Sequence, residues 1–290
     1  MPSFSGLRYR QVDVFARAPL SGNGLAVFFD CEELSGADMQ AVTREMRQYE
    51  SIFLCAAGAP DTFRARIFTM EEELAFAGHP VLGAAAALHE AADAGEKAAW
   101  RLVLAAKTVA VSTRDEPGGY RATMNQGRAE FGAALDGAVS SSFLAAMGFP
   151  AAAALPDFPP QVVSTGLPYL IVPVAGGLER ARVAVPDLAA RLAPLGAAFA
   201  YVLDVARLEG RTWDNLGRDE DIATGSAAGP VAAYLASRGA VALDRDITLH
   251  QGRFLGRPSE ITMRLAGQTL ASAEVLVSGS VRPVARGVFD

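Results

Sequence analysis

The spacing of apolar positions changes period several times along the chain. From Arg8 to Phe15 apolar and polar residues alternate as a half-buried strand requires, and Leu25 to Phe29 is a second apolar run. Pro19-Leu20-Ser21-Gly22-Asn23-Gly24 between them is turn chemistry, so the chain opens on a hairpin. Ser35 and Asp38 then have the form of a helix-start cap, and Met39, Val42 and Met46 share one helical face. That pattern predicts a short helix ending near Gln48. Glu50 to Cys55, Phe63 to Phe68, Trp100 to Leu104 and Thr108 to Ser112 have strand patterns. In the second half, Val162 to Val174 contains a Thr-Gly-Leu-Pro turn and an apolar strand. Asp187 to Leu192 follows as a helix and Phe199 to Leu203 as a strand.

Two segments fit neither an amphipathic helix nor a strand. Gly78-His79-Pro80 leads into Val81 to Leu88, and Gly225-Ser226 leads into Ala227 to Leu235; both runs are alanine-rich and lack a polar face. A helix apolar all round must be buried. Pro80 suits a first helical turn, where its missing N–H costs nothing. The two glycines lie 147 residues apart, about half the chain, and each is followed ten residues later by leucine (Leu88, Leu235), a spacing that fits an old duplication. The predicted fold class is α+β: two similar lobes, each a barrel-like, mostly antiparallel sheet around a central helix. The Gly118-Gly119 loop sets the expected boundary, giving an N-terminal lobe over 1–118 and a C-terminal lobe over 119–290. The last strand, about 280–290, can return to the first lobe.

Composition narrows the function classes. With 51% hydrophobic and 20% charged residues and no biased tract, 290 residues suffice for two lobes with their own cores. A net charge of -6 with no Lys/Arg stripe argues against nucleic acid. No stretch approaches 18 consecutive apolar residues and no signal peptide is apparent, so no membrane association and a cytoplasmic location are expected. Two cysteines, Cys31 and Cys55, make no disulfide framework and are expected to be buried thiols; three histidines provide no zinc-type ligand set, so no metal site is expected.

A glycine turn opening a helix directs backbone N–H groups, reinforced by the helix dipole, at whatever lies in front of it, and a carboxylate suits such a site. Gly78 and Gly225 also have a plainer reading as tight turns. His79 stands where the dipole disfavours imidazolium, so it is either a neutral hydrogen-bonding group or a structural cap. His89 and His250 have structural readings. Asp221, in the acidic segment Arg218 to Asp221, is a solvated charge, a helix cap or a site residue. Glu50, at the start of an apolar strand, is either an exposed edge carboxylate or a partly buried one tuned for proton transfer.

Several segments taken together resemble one family. Gly22-Asn23 with Leu25-Ala26-Val27, Phe76 to Pro80, Ser164 to Tyr169, Asp221 to Gly229, and Gln251-Gly252 with Gly256 to Ser259 resemble, in order, the motif series of the phenazine-biosynthesis PhzF family. The resemblance implies a diaminopimelate epimerase-like fold, typically dimeric, with its site between the lobes. It implies Glu50 as catalytic acid/base with His79 and Asp221 as polar partners, and substrate binding by Asn23, Gly78, Gly225 and Ser226. It further implies a cofactor-independent isomerase acting on a small carboxylate-bearing substrate, similar to trans-2,3-dihydro-3-hydroxyanthranilate isomerase. A non-catalytic binding protein on the same fold and a related lyase or dehydratase are the alternatives. The related epimerases place a cysteine before each helix-start glycine; here those positions hold Ala77 and Thr224. Gly24, Tyr49 and Ile222 also depart from the family pattern.

Overall fold

The computed structural model describes residues 4–290, which divide into two compact units, one of residues up to Asn125 with Ser278–Asp290 and the other Gln126–Val277. The first unit contains β1 (Arg8–Val14), β2 (Asn23–Phe28), α1 (Gly36–Met46), β3 (Glu50–Ala57), β4 (Ala59–Thr69), the two-residue β5 (Glu73–Leu74), α2 (Gly78–Ala91), β6 (Lys97–Val103), β7 (Thr108–Glu116) and β8 (Gly119–Asn125). The second contains β9 (Glu130–Ala134), α3 (Gly137–Ala146), β10 (Gln161–Ser164), β11 (Pro168–Val174), α4 (Leu188–Leu192), β12 (Phe199–Asp204), β13 (Glu209–Thr212), α5 (Gly225–Ser237), β14 (Ile247–Gln251) and β15 (Ser259–Ala266). The long β16 (Glu274–Val288) contributes its first residues to the second unit and the rest to the first.

In the first unit the strands run β1-β2-β3-β4-β6-β7-β8-β16, and β16 pairs back onto β1, closing an eight-strand barrel. Most joins are antiparallel, but β2 with β3 and β4 with β6 are parallel. A parallel join needs a crossover, which α1 and α2 supply. The second unit repeats this grammar. β11 joins β12 in parallel across α4, β13 joins β14 in parallel across α5, and the joins β10–β11, β12–β13 and β14–β15 are antiparallel. This strand-by-strand correspondence is the structural form of the repeat suggested by the two glycines.

The sequence explains why each sheet wraps its helix. In α2 every residue from Gly78 to His89 is buried; in α5 every residue from Gly225 to Leu235 is buried except Ser226. Small side chains let the strands approach closely, and one glycine in each helix is required by that approach. A Cβ at Gly83 would lie 2.5 Å from Leu25 and 2.9 Å from Val14, and one at Gly229 would strike the Gln126 amide. The amphipathic α1 packs outside its barrel, with Met39 and Val42 against Phe28, Phe53 and Phe68. Its capping box is made as the spacing predicts: Asp38 N–H donates to Ser35 Oγ, and Ser35 N–H donates to the Asp38 carboxylate.

Gly118-Gly119 is not where the fold changes unit. It is the tight turn of the β7–β8 hairpin, with Glu116 opposite Gly119, and the division falls at Asn125–Gln126. A glycine pair marks a turn, and a hairpin turn inside a barrel has the same local signature as a linker. Helix α3 was not anticipated, because Gly137-Ala138-Val139 and three serines obscure its period. Among the described residues no helix is long and apolar enough to cross a membrane.

Replacing Gly83 with alanine adds a methyl group where Leu25 and Val14 leave no space. The gain in helix propensity, about 1 kcal/mol, is smaller than the cost of overpacking, about 1–3 kcal/mol. The expected result is a lower urea midpoint with an unchanged m-value; a variant as stable as the wild type would show that the barrel wall gives way.

Candidate active site

The first unit assembles its polar group at the end of the barrel where α2 begins. Asn23 and Glu50 are the first residues of the parallel strands β2 and β3, with Leu25 in register with Glu50. Gly78-His79 opens α2 at the same end. The His79 Nδ1 atom lies 3.3 Å from the Asn23 side-chain amide and 3.4 Å from the Glu50 carboxylate. All three side chains are buried, with relative exposures of 0% for Asn23, 5% for His79 and 9% for Glu50. Burial pushes the His79 pKa down to about 3, weakly opposed by the Gly24 backbone. The ring is therefore neutral at pH 7, and its contact with Glu50 is between a carboxyl group and a neutral imidazole rather than an ion pair.

The second unit builds its group at the start of α5, around the turn from Asp221 to Ser226. Asp221 accepts from the Thr224 hydroxyl at 2.6 Å and from the Ala223 N–H at 3.3 Å. Ser226 shares a hydrogen bond with the Tyr169 hydroxyl at 2.8 Å, and the Gly225 carbonyl accepts from the Gln126 side chain. Gln251, 1% exposed, locks this turn. Its Oε1 accepts from the Thr224 N–H (3.2 Å) and the Tyr201 hydroxyl (3.0 Å), while its Nε2 donates to the Asp221 carbonyl (2.8 Å) and Thr224 Oγ1 (3.0 Å). All four positions of the amide are used. The approach to the turn is held by a buried ion pair, Arg211 with Glu220 at 2.5 Å, whose guanidinium also donates to the carbonyls of Leu178 and Ala181. Trp213 and Phe254 pack against that guanidinium.

The structure thus gathers the sequence-derived candidates into two groups, Asn23, Glu50, Gly78 and His79 in one unit and Asp221, Gly225 and Ser226 in the other. Both helix starts present first-turn N–H groups that have no acceptor within the helix. Glu220, one of the three carboxylates of the acidic segment, is paired with Arg211 and its side chain is only 7% exposed. Gln251, Tyr201 and Arg211 had no assigned role in the sequence. Gln251 stood in a motif, but its partners come from two distant segments, β12 and the Asp221–Thr224 turn, and no local pattern reveals them. His89 bonds the Thr113 hydroxyl through one ring nitrogen and the Gly95 carbonyl through the other, a structural role. His250 lies 45% exposed beside Glu260. Cys31 and Cys55 belong to the buried cluster under α1, and burial pushes the Cys31 thiol up to about 12. The residues preceding Gly78 and Gly225 are Ala77 and Thr224, so neither helix start carries a thiol.

Two measurements follow from this geometry. Because the folded pKa of His79 lies below its unfolded value, its contribution to stability is full above pH 6.5 and is lost as pH falls from there toward 3. The slope is up to about 1.4 kcal/mol per pH unit. A His79→Gln variant lacks that component, so the stability gap between wild type and variant should move in the variant's favour on acidification, as checked by urea denaturation at successive pH values. Gln251→Leu strips partners from several buried groups and should cost at least about 2 kcal/mol, whereas Tyr201→Phe removes one neutral hydrogen bond and should cost about 1 kcal/mol. Equal losses in the two variants would contradict the central place of the amide.

Comparison with known proteins identifies the family and the fold. The phenazine biosynthesis-like protein family matches residues 12–287. A trans-2,3-dihydro-3-hydroxyanthranilate isomerase of Pseudomonas aeruginosa is 35% identical over 97% of this chain and 98% of its own. The structure of a predicted epimerase of Pseudomonas aeruginosa is 54% identical, covering 98% of this chain and 99% of that one, with a TM-score of 0.91. A hydroxyproline epimerase of Agrobacterium vitis shares the fold at 13% identity, with a TM-score of 0.63 over 99% of this chain and 93% of its own. Family match, isomerase relatives and shared fold together show that the chain belongs to the phenazine biosynthesis-like PhzF family and is an isomerase of that type.

Proposed function

We propose that the protein moves a proton on a small carboxylate-bearing substrate without a cofactor, with Glu50 as the general acid/base. The observation that carries this reading is a buried carboxyl group at a barrel end, beside a histidine held neutral and a helix start. In the ionised form Glu50 takes a proton from a substrate carbon next to an unsaturated system. The electron pair left behind spreads toward the substrate carboxylate. The protonated Glu50 then returns the proton to a different carbon, so bonds and charges balance with no other reactant.

The remaining residues take complementary parts. The first-turn N–H groups at Gly78 and Gly225, with Ser226 and Asn23, receive the substrate carboxylate and the charge that develops on it. His79 supplies a neutral hydrogen-bonding face, and Asp221 orders the turn that opens α5. In this reading Glu50, His79 and Asp221 act on the same substrate, and the working form is a homodimer. Substrate chemistry is expected to resemble that named for the Pseudomonas aeruginosa isomerase, whose anthranilate skeleton bears a carboxylate. With Ala77 and Thr224 in place of thiols, racemisation by two cysteines has no support.

The test is Glu50→Gln, assayed by mass spectrometry with trans-2,3-dihydro-3-hydroxyanthranilate first and then with a panel of small amino and hydroxy acids. General acid–base catalysis contributes roughly 10²–10⁴-fold, and a loss in kcat of that size with folding intact is expected. Full activity in the variant on a confirmed substrate would remove Glu50 from the mechanism. In D2O the wild type should place solvent deuterium in the product to the extent that the Glu50 proton exchanges before it is returned.

A further inference from the structure

The first unit has a second hollow, at the end of α2 remote from His79. The 14 residues of the helix put its two ends about 20 Å apart. Around its last turn lies a cavity of about 390 Å³, lined by the β1 residues Arg8, Tyr9 and Arg10, by Ala87, Glu90 and Ala91 of α2, and by Arg286 of β16. No residue of this hollow takes part in the site described above.

Its construction favours an anion with an apolar body. Ala87 and Ala91, one helical turn apart, keep that part of the hollow open because neither carries a side chain beyond Cβ. Arg10 and Arg286 face each other across the β1–β16 pairing, directly in register. Like charges so placed repel unless a third group answers them. Glu90 answers only one, gripping Arg10 through two bonds of 2.7 and 2.6 Å. Arg10 also meets the negative end of the α2 dipole, and Arg8 is taken by Asp30. Among the described residues Arg286 makes no ion pair, so the hollow keeps one cation without a counter-charge beside an apolar surface. Its volume lies in the range of small-molecule sites.

We propose that this hollow binds a small organic anion, with its flat apolar body against Ala87 and Ala91 and its carboxylate on Arg286. The site is separate from the catalytic one and does not depend on the acid/base reading of Glu50. Benzoate is the probe, with benzamide as its neutral counterpart, and affinities are read by calorimetry. Benzoate should bind the wild type at least about tenfold more tightly than benzamide. Arg286→Gln should weaken benzoate about tenfold or more, and Ala91→Phe, which fills the mouth, should abolish binding. Both positions are exposed, and both variants should keep wild-type melting and isomerase turnover. Benzoate binding unchanged in the two variants would assign the anion to another part of the protein, and equal affinity for benzamide would show that Arg286 contributes no charge recognition; either result overturns the proposal.

Discussion

A helix without a polar face cannot lie on a surface, and this constraint organises each unit. α2 and α5 bury nearly their whole length, so a sheet must surround each of them. Close wrapping demands small residues, which is why alanines dominate both helices and why Gly83 and Gly229 stand where the barrel wall comes nearest. A barrel around a helix leaves the helix ends as its accessible parts, and the N-terminal end carries N–H groups without intrahelical partners. In the first unit the same end collects the first residues of the parallel strands β2 and β3, Asn23 and Glu50. The chemistry is therefore a consequence of the burial: the packing that encloses α2 also delivers its polar neighbours.

Much of this was legible in local sequence. Periodicity located β1 to β4, α1 and the two central helices, because each depends on short-range alternation, a capping box or a run of small apolar residues. The Gly118-Gly119 turn misplaced the boundary by several residues, since glycine reports backbone conformation and not the contacts beyond it. The site was legible only in part. Glu50, His79 and Asp221 announce themselves as ionisable residues at turns and strand starts. Gln251 does not, because its partners lie 27 to 50 residues away, and Arg211 does not, because two of its acceptors, the carbonyls of Leu178 and Ala181, lie 30 or more residues away. A buried amide satisfied at all four positions has no local sequence signature.

The repeat also shows how one scaffold carries unlike chemistry. Both crossovers place a helix start at the end of a sheet, yet Ala77 leaves the α2 turn without a side-chain group while Thr224 donates to Asp221. A thiol at both positions would make the two helix starts chemically alike. Instead the first unit holds a carboxyl group and an imidazole, and the second a turn saturated with hydrogen bonds. That asymmetry supports the proposal of one group that both removes and returns a proton.

The charge state of His79 bears on that division of labour. An imidazolium 3.4 Å from a carboxylate would stabilise the ionised acid by an amount on the order of 4 kcal/mol at an effective dielectric of 20, equivalent to several powers of ten in proton affinity. A carboxylate so held would accept a proton reluctantly. Burial prevents this by keeping the ring neutral down to about pH 3, far below its ordinary range. Asn23 holds the neutral ring in place, with its Nδ1 atom 3.4 Å from the carboxyl group. Burial of the histidine, which in a sequence looks like a structural detail, keeps the ring beside Glu50 from becoming an imidazolium and so supports the proposed proton transfer by that carboxyl group.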